Sequence, residues 1–392
     1  MSSVRARVWH FTVEWGSAGA EAVQAVEIGQ GPLPVSLAAV VNINALACDL
    51  RRTVDQRVRD HETSLLLSYI TSSPGTGSLG VDCSALDSSS GHIRRFVSEC
   101  TGLGVMTSAS ETLFDWKPGA NGLSSFDVLP GKLVGTYAKG GVRPDLLYDL
   151  AAGPLAGEAR GRRRDREQML PAGQGTQPQK ARLAKLAQWS VDHNEHAYFM
   201  SWVWLGTGGV YVDIFLPDDS PATAGLKTGW IDVPGSAQPW RFRVPRPDPR
   251  RRTVLEPNPL AAGADPAPES GSEGLAYATG AAAETAVRRA AVAVEAAMNQ
   301  SFAREDTTLG TFSGAEVRGR WIRGDAVGPA HYEVLLGVLG ERVPVAHRAQ
   351  RRRLASQSDR LDVFLEGRLL TLVKPIDSPR PSWDRIRSEL LE

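Results

Sequence analysis

Across residues 245–274 the chain places seven prolines in thirty positions, around the run Arg250-Arg251-Arg252. Proline lacks a backbone N–H and fixes φ, so a stretch of this density can join neither a helix interior nor a central strand. It is expected to be an extended arm, ordered by whatever it lies against. A second break covers 153–178. It carries Arg160-Gly161-Arg162-Arg163-Arg164-Asp165-Arg166 and ends in loop chemistry over 171–178, so it reads as a linker. The two breaks divide the chain into an N-terminal α+β lobe (1–152), a helix-plus-hairpin unit (179–244) and a C-terminal α+β lobe (275–392). The expected fold class is α+β and multi-lobed, with α-helical regions and interspersed antiparallel hairpins.

Residues 4–15 alternate Arg5, Arg7, Trp9, Phe11, Val13 and Trp15 with Val4, Ala6, Val8, His10 and Thr12. Period two predicts a strand, with 21–28 as its hairpin partner. Residues 36–70 predict two helices, the second with Leu50, Val54, Val58 and Leu65 on its apolar side and Arg59 on its polar side. The Gly/Ser-rich stretch 72–90 predicts a loop, 93–100 a helix stopping at Gly102, 117–141 irregular structure, and 144–150 one or two helical turns. Beyond the first break, 179–196 predicts an amphipathic helix burying Leu183, Leu186, Ala187 and Val191. Residues 199–205 and 210–216 flank Gly206-Thr207-Gly208-Gly209 as a β-hairpin. An alanine-rich helix is expected at 280–302, strands at 317–323 and 332–339, and a hairpin over 361–373 turning at Glu366-Gly367.

Charge sums to zero, 44 basic residues against 44 acidic, and only seven of the basic residues are lysine. Arginine suits bidentate ion pairs at packed interfaces, and a neutral chain neither gathers polyanions at long range nor repels its own copies. A GC-rich coding sequence produces the same arginine bias. Three cysteines at irregular spacing (Cys48, Cys83, Cys100) make neither a disulfide framework nor a zinc knuckle. The first ten residues lack the apolar run of a secretory leader, and the most apolar stretch, 36–50, is broken by Asn42, Asn44 and Asp49. A cytoplasmic protein without a membrane partner is expected.

Candidate chemistry is sparse. Asp192-His193-Asn194-Glu195-His196 would put two imidazoles on roughly one helix face, able to share a metal with a further ligand; a polar helix end explains the same residues. The stretch 73–80 lacks the Gly-Lys-Ser/Thr of a phosphate loop. Cys100 and His92 form a weak thiol–imidazole pair by spacing, and His10 alternates away from its aromatic neighbours. Arg162, Arg163, Arg164, Arg250, Arg251 and Arg252 are candidate nucleic-acid contacts, each cluster flanked by acids. No catalytic residue and no cofactor are expected.

The stretches 91–114 (GHIRRFVSECTGLGVMTSASETLF) and 132–155 (KLVGTYAKGGVRPDLLYDLAAGPL) resemble coat proteins of toti-like double-stranded RNA viruses. The resemblance implies a self-assembling capsid subunit of a small icosahedral virion in the host cytoplasm. It would act as a homo-oligomer of many copies, with weak contact to viral RNA and no catalysis. The alternative is a nucleic-acid-binding accessory subunit of a high-GC bacterial, defence-type complex, with the arginine clusters as contacts. A third class is an enzyme centred on Asp192, His193, Glu195 and His196.

Overall fold

The computed structural model describes residues 2–17, 19–50, 56–72, 78–114, 116–118, 122–125, 142, 144–150, 153–164, 177–193, 195–217, 230–231, 240–241, 291–292, 294–343 and 361–391. The chain is α+β. Strands β1 (Ser2–Gly16) and β2 (Gly19–Val35) form a long hairpin, followed by α1 (Leu37–Leu50) and α2 (Gln56–Tyr69). The short strands β3 (Ile70–Ser72) and β4 (Leu79–Val81), then α3 (Cys83–Ser88), lead into α4 (Gly91–Leu113). Strands β5 (Leu123–Ser125), β6 (Leu146–Leu150) and β7 (Gly153–Arg163) make an antiparallel meander. The helix Gln177–Asp192 then carries the chain to β8 (Tyr198–Gly206), which lies parallel to β7 and turns back as β9 (Gly209–Pro217). Because β9 also runs parallel to β1, all of these except β3 and β4 join one mixed seven-stranded sheet in the order β2-β1-β9-β8-β7-β6-β5. Two two-residue strands, β10 (Trp230–Ile231) and β11 (Trp240–Arg241), pair with each other. A second, antiparallel sheet of five strands follows: β12 (Thr308–Phe312), β13 (Ala315–Arg323), β14 (Tyr332–Leu339), β15 (Asp362–Glu366) and β16 (Leu369–Pro375), in the order β12-β13-β14-β16-β15.

Layering explains the burial. Helix α4 packs on the inner face of the large sheet, and α1 lies between α4 and the second sheet. Sandwiched this way, α1 buries every residue from Leu37 to Ile43, which accounts for a sequence without a polar stripe. The helix Gln177–Asp192 covers the outer face of the large sheet, and the C-terminal helix Trp383–Leu391 covers the outer face of the second. Strand β8, covered on both faces, is buried along its whole length. Among the described residues no helix is long and apolar enough to cross a membrane.

Several expectations change. The glycine at 102 does not end α4, which runs on to Leu113. An added Cβ at Gly102 would lie 3.0 Å from the Gly161 nitrogen, and one at Gly161 would overlap the Ser98 carbonyl oxygen, so paired glycines let α4 lie directly on β7. Within 144–150, Leu146–Leu150 form strand β6 instead of helical turns, and 153–163 are the interior strand β7 instead of a linker. Residues 79–81 and 83–88 are ordered as β4 and α3 where a loop was expected, Asp82 capping α3 by accepting from the Ala85 N–H. Val58 and Val191 are exposed, and α2 instead buries Arg59, Thr63, Leu66 and Leu67. The strand expectations for 4–15, 199–205, 210–216, 317–323, 332–339 and 361–373 match the observed strands. The arm at 245–274 and positions 280–290 of the alanine-rich helix lie outside the described residues.

Candidate functional site

The meander β5–β6–β7 aligns Leu146 with Gly157. Continuing that register sets Asp145 opposite Glu158, and the Asp145 N–H donates to the Gly157 carbonyl at 2.9 Å. Leu146, Tyr148, Leu155 and Ala159 pack into the core beneath α4, so alternation sends Asp145, Glu158 and Arg160 to the other face, under the helix Gln177–Asp192. From that helix Arg182 reaches down to Glu158.

Glu158 is fully buried. Its Oε1 accepts Arg182 Nε at 2.9 Å and pairs with Arg160 Nη2 at 2.7 Å. Its Oε2 is equally buried and meets no hydrogen-bond donor. Burial raises the Glu158 carboxyl above the usual range, against the pull of Arg160 and Arg182. Asp145 Oδ2 accepts the Ala159 N–H at 2.7 Å. Burial first, and the neighbouring Glu158 charge second, push the Asp145 carboxyl up to about 7. Two neighbouring carboxyl groups, each lifted above its ordinary pKa, favour keeping a proton on one of them.

Arg160 and Arg182 flank this pair. The Arg162 guanidinium is held below its ordinary pKa by burial first and then by Arg160, with Arg95 and Arg182 adding to the repulsion and Glu99 opposing it. Arg160 and Arg182 thus pair with Glu158, while Arg95 and Arg162 are linked to them through mutual charge repulsion. Such a cluster is suited to oxyanions with several oxygens. Asp145 and Arg160 are also among the residues that line a cavity of about 280 Å³ bordered by α1, α2 and α4, whose charged lining includes Arg59, Glu62 and Glu99.

The residues singled out from the sequence fare differently. Arg162 belongs to the cluster just described. Arg163 is engaged in a bidentate pair with Asp87, at 2.8 and 2.5 Å. Arg164 lies 5.0 Å from the Trp204 ring centre, in cation–π range. Arg250, Arg251 and Arg252 lie outside the described residues.

The 192–196 cluster ends its helix instead of forming a centre. The His193 ring stacks on Trp189 at 4.8 Å and His196 tilts against the same indole at 5.2 Å. Asp192 accepts from Gln188, and Glu195 takes a positive φ of 54° in the turn. Among the described residues no three His, Cys, Asp or Glu side chains converge as a metal-ligand group. Cys100 lines the cavity, whereas His92 is exposed more than two turns away along α4, roughly 12 Å by helical rise.

Asp145, Glu158 and Arg160 escaped the sequence reading because both segments carrying them were misassigned. A helical turn and a linker place nothing face to face. The legible signal was a Pro-Asp at 144–145 and a Glu-x-Arg at 158–160, each beside a strand-forming run, Leu146-Leu147-Tyr148 and Pro154-Leu155-Ala156. Compared with protein-family models, curated proteins and solved structures, the chain matches none.

Proposed function

We propose that the chain is a divalent-cation-dependent phosphodiester hydrolase acting on nucleic acid. The observation that carries this reading is the Asp145–Glu158 pair, with its buried, undonated Glu158 Oε2, beside Arg160 and Arg182. Hard cations such as Mg²⁺ need only one or two carboxylates when solvent and substrate phosphate oxygens complete the shell. A two-carboxylate site without a third protein ligand is therefore suited to a metal that arrives with its substrate.

The chemistry follows from the groups present. Asp145 and Glu158 would hold the cation, and a cation held there would supply polarisation of the phosphoryl oxygen and a lowered pKa for bound water. The water oxygen bonds to phosphorus, the ester P–O bond to the leaving sugar oxygen breaks, and no electrons are exchanged. The proton released by the attacking water passes to solvent, and solvent returns one to the leaving oxygen. The guanidinium groups hold the phosphate and offset its developing charge. In the test, a labelled oligonucleotide is incubated with the protein in Mg²⁺ or in chelator. Cleavage in Mg²⁺ alone, lost in Asp145→Asn and Glu158→Gln, is expected. Cleavage surviving both substitutions, or none under any condition, overturns the proposal.

The second proposal is the coat subunit, favoured by the neutral charge sum, which allows many copies to pack without mutual repulsion. Electron microscopy of untagged protein across a salt series tests it. Closed particles of uniform diameter support it, and a strict monomer at high concentration removes it.

A further inference from the structure

The outer face of the large sheet carries arginines that the hydrolytic step does not require. Strand register sets Arg162 of β7 beside Trp204 of β8, Trp204 beside Tyr211 of β9, and Tyr211 beside Arg5 of β1. One row of residues thus crosses four strands, about 14 Å from β7 to β1 at the usual strand spacing. Its two ends, Arg5 and Arg162, are exposed. Arg5 lies 5.7 Å from the Tyr211 ring centre and Arg164 lies 5.0 Å from that of Trp204, so two buried rings form a floor under two guanidinium groups. A ring face holds a guanidinium without neutralising it and leaves the N–H groups at its edge able to donate. Among the described residues Arg164 Nη1 meets no acceptor. Neighbouring arginines are committed to carboxylates instead: Asp213 accepts Arg7 Nε at 3.0 Å, and Asp87 holds Arg163. Arg5, Arg162 and Arg164 pair with no carboxylate among the described residues.

We infer that this row is a track for the phosphodiester backbone of a nucleic-acid strand, leading to the Asp145–Glu158 pair. The inference takes its ligand from the hydrolase reading and says where the strand runs. Arg160 connects the two, since it lies two residues from Arg162 along β7 and pairs with Glu158. Along that strand Glu158 is about 13 Å from the end of the row. Three cations without a counter-charge form a local positive stripe on a chain whose charges sum to zero. A phosphodiester backbone answers such a stripe with anions at regular spacing, each able to accept from a guanidinium edge. Contacts of this kind reach phosphate oxygens and leave base edges unread, so they carry no sequence preference. The rings of Trp204 and Tyr211 lie beneath the guanidinium groups and hold them in place.

The experiment titrates the full chain, in chelator so that nothing is cut, against a short fluorescent single-stranded oligonucleotide over a potassium chloride series. Each of Arg5→Ala, Arg162→Ala and Arg164→Ala is expected to weaken binding several-fold. Each is also expected to flatten the slope of log affinity against log salt by about 0.7, the value of one phosphate contact on a single strand. The triple alanine variant is expected to flatten it by about 2, and the triple lysine variant to keep the wild-type slope. Arg163→Ala, whose arginine is held by Asp87, is expected to leave the slope unchanged. A folded triple alanine variant with the wild-type slope overturns the inference, as does an equal flattening in Arg163→Ala. Should the triple variant not fold, Arg5→Ala, at an exposed position, decides. Tighter binding of a poly-glutamate of equal charge overturns the nucleic-acid assignment, and so does the absence of oligonucleotide binding at any salt. The two readings fail separately: flattened slopes without cleavage in Mg²⁺ remove the hydrolase and keep the track, and cleavage with unchanged slopes does the reverse.

Discussion

Asp145 and Glu158 are thirteen residues apart in sequence and opposite one another across a hairpin, and their proximity costs stability whenever both are ionised without a cation. The sign of the pH dependence follows. The folded carboxyl of Asp145 titrates at about 7 and the unfolded one near 3.8, so its neutral form favours folding below about pH 4. That contribution is lost as pH rises toward 7 and is absent above it. Asp145→Asn is therefore expected to melt a few degrees above the wild-type protein at pH 8 in chelator, with the gap closing near pH 4. Thermal denaturation across pH measures this, and a variant less stable than wild type at pH 8 contradicts the placement. Such a pair is hard to read in a sequence because each acid has an ordinary alternative. An aspartate after proline looks like a turn, and a glutamate in an arginine run looks like a solvated charge. Only the strand register brings the two together.

Helix α4 and strand β7 form the element pair on which the site's geometry depends. The helix carries Arg95 and Glu99, the strand carries Glu158, Arg160 and Arg162, and Gly102 against Gly161 sets their separation. Gly161→Ala would drive a methyl group into the Ser98 carbonyl, so a loss of about 3 kcal/mol or more is expected from overpacking against backbone. Urea denaturation measures it, and an unchanged midpoint contradicts the close contact. Regular elements were legible where one signal governed them. Period two with aromatics marked β1, and Gly206–Gly209 between apolar runs marked the β8–β9 turn. The same glycine chemistry misled at position 102, since a glycine chosen for close packing looks in sequence like one that ends a helix. Strand β7 was hidden because its charged face lies under a helix that comes later in the chain, so Arg160 and Arg162 looked solvated.

At the scale of the whole molecule, α1 and α2 join the two sheets through polar contacts as well as the shared core. Asn42, buried in α1, donates to the Leu369 carbonyl at 2.7 Å and the Thr371 hydroxyl at 3.0 Å. Asp362 in β15 accepts the Ala38 N–H at the start of α1 at 3.1 Å, supplying a cap from a strand 324 residues away. From α2, Arg59 pairs with Glu305 at 3.0 Å, while Arg320 in β13 bridges Asp60 at 2.7 Å and Glu305 at 3.2 Å. Glu305→Ala leaves buried Arg59 without this partner and is expected to cost about 3 kcal/mol, with both sheets unfolding in one transition. Chemical denaturation followed by far-UV circular dichroism and tryptophan emission checks this, and two separated transitions contradict it. Contacts spanning hundreds of residues leave no local periodicity, which is why separate lobes were expected where the two sheets share one core.

The proposed hydrolase requires a divalent cation between Asp145 and Glu158 when a phosphodiester is bound. Anomalous scattering from crystals grown with Mn²⁺ and an uncleavable oligonucleotide locates the ion directly. A peak between the two carboxylates, with a phosphate oxygen completing its shell beside Arg160, is the expected result. A phosphate in place with no peak at the pair, or a peak only elsewhere, contradicts the claim.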